Sequence, residues 1–404
     1  MKSVCMKIIV LSALLVFFAR EFSYASGTAG ASGAIFLELG VGSRPLAMAE
    51  AFTAEINDIN TLYYNPAGLG SLKYPTLSIH HQELILDSRI ENITGAFKIG
   101  NGFMAISNTV FWVVPFEKID INGNVVGNVT FVNGAFTIGY GYDFGFMYLG
   151  ASVKYIYQQI DTLFLSSVGF DIGILKGMYL FSPFETVSKN FHLGLSVLNL
   201  GSPALNDPLP TSLRIGLSYK LTKWFGLNID VSENLIDPTD IYDFIYGFDE
   251  SFRLYLGAEF NVLDILYLRG GYSFNNGRTF SLGLGFNYVV SNVSFNVDAS
   301  YADSGVFGPT YSFNLSFKLI PKVITVEDIQ TAEEHYKGGI KAFVADDIDA
   351  ALKEFKKAKD YNPYHKNIDN KIKDIEELKD LKKKNDKLEE EARKNPQNQE
   401  KKVE

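Results

Sequence analysis

The chain carries five histidines. His80 and His81 are adjacent, so on an extended strand they would flank opposite faces, while His192 and His335 are isolated. No Ser–His–acid grouping and no metal-ligand spacing emerges around them, so nothing points to nucleophilic hydrolysis or metal chemistry. The run Asp120-Ile121-Asn122-Gly123-Asn124 begins like a calcium loop. It fails at the sixth position, where Val125 replaces glycine, and at the twelfth, where Phe131 replaces glutamate. Asn122-Gly123 reads better as a hairpin turn. Asp237, Asp240, Asp243, Asp249 and Glu250 read as a solvated acidic loop. The one cysteine, Cys5, lies in an N-terminal apolar run, which leaves the remaining chain no thiolate, disulfide or Cys–metal site. A formal charge of −9 argues against a nucleic-acid partner. The expectation is a protein that is not an enzyme and uses no cofactor and no metal.

The charges that call for explanation are Lys154, Arg214, Arg253, Glu259 and Asp298, because they interrupt an otherwise charge-poor, alternating pattern. In Ser251–Leu319, Phe252, Leu254, Leu256, Ala258 and Phe260 alternate with Arg253, Tyr255, Gly257, Glu259 and Asn261. Tyr311, Phe313, Leu315, Phe317 and Leu319 alternate with Ser312, Asn314, Ser316 and Lys318. A period of two is a strand with two unlike faces. Segments of about ten residues with an aromatic-rich apolar face suit the lipid-facing wall of a membrane barrel. A lysine or arginine facing lipid at the midplane costs roughly 2–4 kcal/mol, so these five charges must face the lumen, a plug or each other, and wall-to-plug pairing is the expected use.

Alternation and turn residues predict about fourteen antiparallel strands between 76 and 319, at approximately 76–87, 89–100, 102–115, 129–143, 146–158, 163–181, 190–200, 210–221, 223–233, 251–262, 264–274, 279–290, 293–302 and 310–319. Every second connection is tight, as at Gly100-Asn101, Thr222-Lys223 and Ser291-Asn292, and the intervening ones, such as 115–128, 201–209 and 234–250, are mostly longer. Outer-membrane barrels pair short periplasmic turns with long outer loops. High aromatic content (Phe 32, Tyr 22) and Gly 35 fit such a wall. After residue 25 no stretch stays apolar for the ~18 residues of a spanning helix, so a membrane body here must be a closed barrel in contact with outer-membrane lipid.

Lys2 and Lys7 precede an apolar run ending near Ser23-Tyr24-Ala25, which reads as a signal peptide over 1–25 without a lipidation box. Residues 26–75 do not alternate. Glycines punctuate them, Pro45–Ala54 could form a short helix with Met48 and Phe52 four apart, and Asn65-Pro66 starts a turn. Such a segment is expected to be an N-terminal hatch or plug inside the 76–320 barrel.

Gly33-Ala34-Ile35-Phe36-Leu37, Gly40-Val41-Gly42-Ser43-Arg44-Pro45-Leu46-Ala47-Met48, Ala51-Phe52-Thr53-Ala54 and Tyr64-Asn65-Pro66-Ala67-Gly68-Leu69 resemble the opening of the PorV/PorQ-like proteins, relatives of the FadL-type outer-membrane barrels. Ala49-Glu50 stands where that family usually has Gly-Gly. The resemblance implies a hatch, with Phe36, Asn65, Pro66, Ala67 and Gly68 beside the path of a hydrophobic small-molecule ligand. It implies uptake of compounds such as long-chain fatty acids, or a scaffold for protein secretion or surface attachment.

After Pro321 the pattern becomes helical and charge-rich. Residues 332–365 fit one tetratricopeptide-like unit, with Gly339 at the close helix contact and Ala351, Phe355 and Ala358 at packing positions. A third helix at about 366–393 carries Ile368, Ile372, Ile375 and Leu378. This 325–393 module is expected on the periplasmic side, as the hatch is, with a periplasmic protein partner. Residues 394–404 read as a disordered end.

Overall fold

The computed structural model describes residues 33–180, 189–201, 208–235, 252–262, 264–274, 280–303, 308–321, 326–363, 365 and 368–394. The leader, the acidic loop from Asp237 to Glu250, residues 395–404 and parts of the loops at 182–190, 201–209, 275–278 and 302–309 lie outside the described residues. The chain divides into two compact units, Met1–Ile320 and Pro321–Glu404.

In the first unit fourteen antiparallel strands close into a barrel. They are β1 (Thr76–Glu83), β2 (Ser88–Ile99), β3 (Gly102–Ile119), β4 (Val125–Asp143), β5 (Tyr148–Ile160), β6 (Leu163–Met178) and β7 (Phe191–Gly201). There follow β8 (Ser212–Lys220), β9 (Phe225–Asn234), β10 (Arg253–Val262), β11 (Leu266–Phe274), β12 (Phe280–Val290), β13 (Val293–Asp303) and β14 (Pro309–Leu319). Each pairs with its sequence neighbours, and β1 closes on β14 from Thr76–Lys318 to Glu83–Tyr311. Closure leaves no edge whose N–H and C=O groups would go unpaired in hydrocarbon.

The wall is inside out relative to a water-soluble protein. Along β14, Tyr311 and Phe313 are 54% and 48% exposed, while Ser312 and Asn314 are 7% and 2% exposed. Val153 and Tyr155 on β5, and Leu282 and Leu284 on β12, likewise face out, with Ser152, Lys154 and Ser281 buried inside. This is the arrangement a lipid-facing wall requires.

One hairpin departs from expectation. Residues 115–128 are not a long loop: β3 runs on to Ile119 and β4 starts at Val125, closed by the turn Asp120–Asn124. Pro115 hid this continuation, because proline interrupts a strand reading. Here it sits at an irregularity, where the β3–β4 register shifts between Val113 and Phe116. Asn122-Gly123 does form the hairpin turn, and Gly123 has φ 85°. The Asp120 carboxylate accepts the Asn122 and Asn124 amides at 2.8 and 2.9 Å. It serves the turn, and these backbone hydrogen bonds hold it below its ordinary pKa.

Before β1, two short helices, α1 (Ser43–Ala47) and α2 (Thr61–Tyr64), and 3₁₀ turns at Ile35–Glu38 and Pro66–Ser71 fold inside the wall. The helix expected at Pro45–Ala54 begins earlier and stops after one turn. Ala49 and Glu50 take left-handed φ of 50° and 68°, which turns the chain. A non-glycine residue there costs of order 1–2 kcal/mol, so the surroundings must enforce it. Met48 and Phe52 therefore share no helical face, but they do share an apolar cluster with Tyr64.

The second unit is three helices, α3 (Val326–Val344), α4 (Ile348–Tyr361) and α5 (Ile368–Lys394). Ala351, Phe355 and Ala358 are fully buried. Gly339 lets α3 approach so closely that a Cβ there would lie 3.0 Å from the Phe355 ring. Ile368 and Ile375 are buried and Ile372 packs beside them. Leu378, at 39% exposed, does not continue the stripe expected of it. Asp347 caps α4, accepting the Ala350 amide at 3.0 Å. Asp347→Ala is expected to cost the helix pair about 1 kcal/mol, read as faster amide exchange across α4 in the full chain.

Candidate functional site: the plug and its seat

Asn65-Pro66 organises the inner segment. Proline keeps Asn65 extended, at φ −162° and ψ 102°, and starts the next turn. The Asn65 amide donates to the Thr53 carbonyl at 2.8 Å and to the Ile174 carbonyl of β6 at 3.1 Å, and accepts from Ala67 N at 3.1 Å. Both of its N–H groups and its oxygen are thus used inside the protein. The preceding tyrosines tie back to the start of the segment. Tyr63 Oη lies 2.6 Å from the Leu37 and Leu39 carbonyl oxygens, and Tyr64 Oη accepts from Val41 N at 3.1 Å.

The plug is seated on glycines. Several inward-facing positions of the wall are glycine where plug atoms press against them. A Cβ on Gly141 or Gly150 would collide with the Pro66 carbonyl, on Gly194 with the Thr53 carbonyl, and on Gly271 with the Met48–Ala49 peptide. On Gly173 it would meet the Asn65 amide, and on Gly283 the Ala47 methyl. Gly216 and Gly257 receive Thr53 and Met48 in the same way. These positions lie on β4–β8 and β10–β12, so the belt holds the plug around most of the circumference.

Ion pairs complete the seat. Arg44 of α1 donates from Nε to Glu259 at 2.7 Å, from Nη1 to Asp58 at 2.9 Å and from Nη2 to Glu55 at 3.2 Å. Arg269 of β11 shares Glu259 at 2.7 Å and reaches Asp298 at 2.6 Å. Burial alone would push the Glu55 carboxyl up; the Arg44 guanidinium, helped by Lys220, brings it below its ordinary value. A second group forms around Asp230 of β9, whose Oδ2 accepts the Phe52 and Thr53 amides at 2.8 and 2.7 Å. Arg214 donates to the Glu50 carbonyl at 2.7 Å and lies between the Tyr64 and Tyr255 rings. Lys154 pairs with Asp171 at 3.0 Å within the wall, and Arg253 pairs with Glu38 of the plug at 2.9 Å. All five charges singled out from the sequence therefore face inward, as wall-to-plug or wall-to-wall partners.

The surroundings of the plug differ along the lumen. At the end that holds the tight turns and both ends of the barrel chain, a cavity of about 730 Å³ opens beside Arg44 and Glu55. Its lining mixes charged and polar side chains with Trp224, Phe225 and Phe286. In the other half of the lumen, Phe36 and Leu37 pack on Ala135 of β4, Ile156 of β5 and Leu209, with Leu39 and Phe111 at the margin. The structure thus places Phe36 in this apolar patch and brings Asn65, Pro66, Ala67 and Gly68 together, fully buried, in the glycine seat. Gly339, Ala351, Phe355 and Ala358 belong to the helical unit. Sequence reasoning missed Arg44, Glu55 and Asp58 as a cluster and missed the belt. The available signal was glycine recurring on the inward parity of consecutive strands.

Several known proteins are similar. Two proteins of Treponema pallidum (strain Nichols), each called "UPF0164 protein", are 26% identical over 165 residues and 21% identical over 299 residues. These matches cover 40% and 69% of this chain, which spans about half (51%) and 66% of the relatives' own lengths. Among solved structures, a deletion mutant of the TodX monoaromatic hydrocarbon channel aligns with TM-score 0.47 at 11% identity, covering 70% of this chain and 99% of that one. The KdgM porin aligns with TM-score 0.30 at 9% identity, and Omp33 of Acinetobacter baumannii with TM-score 0.33 at 10% identity. They cover 60% and 61% of this chain, and 98% and 97% of their own. Residues 28–320, the plug together with the whole barrel, match the model of the uncharacterised protein family UPF0164, and to that family this chain belongs.

Proposed function

We propose that the protein is a bacterial outer-membrane barrel that takes up hydrophobic small molecules such as long-chain fatty acids, with the plug acting as its hatch. The observation that carries this reading is the patch around Phe36. Much of the inward wall presents Ser, Thr, Asn, Gly and charged residues; Ala96, Phe103 and Ala105 pack on Ile59, Leu62 and Leu69 of the plug, and here Ala135, Ile156 and Phe111 meet Phe36, Leu37 and Leu39. Ile35, in the same turn, is 55% exposed, so apolar surface continues from the packed cluster to open lumen. A solute entering from the long-loop end would meet this surface first. On this reading a leader at 1–25 delivers the chain, and the tight-turn end, with the hatch and the 325–393 module, faces the periplasm.

The test is binding of a fluorescent long-chain fatty acid to purified full-length protein. Ile35→Asp, at the exposed edge of the Phe36 patch, is expected to weaken it about tenfold, since covering an aliphatic side chain is worth about 1.5 kcal/mol, while Ile35→Leu stays near wild type. Equal binding by the aspartate variant would remove the site. Unchanged uptake of labelled fatty acid and other apolar solutes by a deletion strain would remove the function.

A second reading rests on the helical unit. The Gly339–Phe355 contact and the Asp347 cap resemble a tetratricopeptide-like pair, a form that binds proteins. On that reading the barrel is a PorV/PorQ-like scaffold for secretion or surface attachment. Co-purification that recovers no periplasmic protein with the full chain, or the same proteins with a chain ending at residue 320, would count against it.

A further inference from the structure

The chamber at the tight-turn end has a charge opposite to that of the chain. The protein carries −9 overall, yet this cavity is lined by seven cationic side chains against four carboxylates. The four carboxylates lie against two guanidinium groups, Glu55, Asp58 and Glu259 against Arg44 and Glu259 and Asp298 against Arg269, so two of their four charges are offset there. The other cations are Lys73, Lys189, Lys220, Lys223 and Lys318, which leave the lining with an excess of three positive charges, seven against four. Among the described residues none of these five takes part in an ion pair, and only Lys189 has a hydrogen bond at its ammonium, a long one of 3.4 Å to the Gly145 carbonyl. They come from five separated places: before β1, before β7, the end of β8, the β8–β9 turn and the end of β14. Barrel closure brings them round one mouth.

An excess of ammonium groups converging in a concave site with low-dielectric walls focuses a positive potential and concentrates anions. The volume, about 730 Å³, falls within the range of small-molecule sites. The lining is not purely ionic. Trp224 also borders the cavity, is 48% exposed, and is braced edge-on by Phe260 at 5.2 Å between ring centroids. An indole held in place beside several lysines offers a surface for a carbon framework next to its charges.

We propose that this vestibule is a binding site for a small soluble organic polyanion bearing carboxylate, sulfonate or phosphate groups. Lys220 and Lys318 hold its charges from the wall, Lys189 and Lys223 hold them from the rim, and Trp224 packs on its framework. The site is separate from the apolar patch at Phe36, and its occupancy does not depend on what binds there.

The probe is pyranine, a trisulfonated pyrene, followed by fluorescence polarisation with full-length protein in zwitterionic-lipid nanodiscs. Binding is expected to be saturable, to be displaced by citrate, and to weaken as salt rises. Lys220→Gln with Lys318→Gln should weaken it about tenfold. Lys223→Gln, an exposed position that cannot disturb the fold, should weaken it severalfold. Lys118→Gln, paired with Asp161 on the β3 tip, should leave it unchanged, and saturating long-chain fatty acid should not displace the dye, which separates this site from the uptake reading. No saturable binding, or equal loss with Lys118→Gln, overturns the proposal. Competition by phosphatidylglycerol in the nanodisc but not by citrate would move the anionic chemistry to a lipid headgroup and overturn it as well.

Discussion

Gly150→Val is expected to turn a stoppered barrel into a conducting one. The valine Cβ would occupy the space of the Pro66 carbonyl and the Ala67 amide. Overpacking a core usually costs 1–3 kcal/mol because side chains can swing away; here the obstacle is plug backbone, which cannot rotate aside, so the cost should exceed about 3 kcal/mol. That shifts the ratio of seated to unseated plug more than about a hundredfold. In planar bilayers the variant should show steady conductance where wild type is closed. A cysteine at Ala67 should become labelled by maleimide, a clean reporter because the chain's one native cysteine, Cys5, lies in the expected leader. Gly95→Val is the control: it sits on β2, on the face of the strand opposite the buried Thr94 and Ala96, and a Cβ there meets nothing within 4 Å. If Gly150→Val is as closed and as unreactive as Gly95→Val, the belt does not seat the plug.

What the sequence carries, and what it does not, follows from the range of each signal. Strand existence and facing rest on a period of two, which is local. Arg214, Glu259 and Asp298 can therefore be placed inside the wall before any partner is known. Two residues mark the limits of local pattern. Leu378 continues an apolar spacing beside the first turn of α4, where its neighbour Lys379 pairs with Asp349, yet it stays 39% exposed, and Pro115 has the form of a strand break but sits at a register shift. The seat is different in kind. Gly150 and Gly173 resemble weak spots in strands, because glycine adds no side chain to a pleated surface. Only when the plug is laid against them does the missing Cβ become the feature selected. The same holds for Ala49 and Glu50. Neither residue type announces the left-handed backbone that both must adopt. Arg44 stands within a legible motif, yet its partners lie up to 215 residues away, on another strand, which no local periodicity reports.

Arg44→Met should loosen the same plug by a different route and reverse how its stability responds to acid. Arg44 is the one cation that touches all three of Glu55, Asp58 and Glu259, with side-chain exposures of only 4%, 12% and 18%. Removing one partner from a buried ionic group leaves charge uncompensated and typically costs 3–5 kcal/mol. Arg44→Met with Asp58→Asn should recover part of that loss, because among the described residues Asp58 pairs with no cation but Arg44, whereas Glu259 keeps Arg269. In wild type, Glu55 binds its proton less readily in the folded chain than in the unfolded one. Its contribution is therefore present above the ordinary carboxylate range and is lost as pH falls through its lowered folded-state value. Without Arg44, burial dominates and the folded carboxyl takes up a proton first. The variant's melting temperature should then rise as pH falls from about 8 to 5, where wild type holds level or declines. Parallel pH profiles for the two proteins would mean that the cluster is not what fastens α1 to the wall.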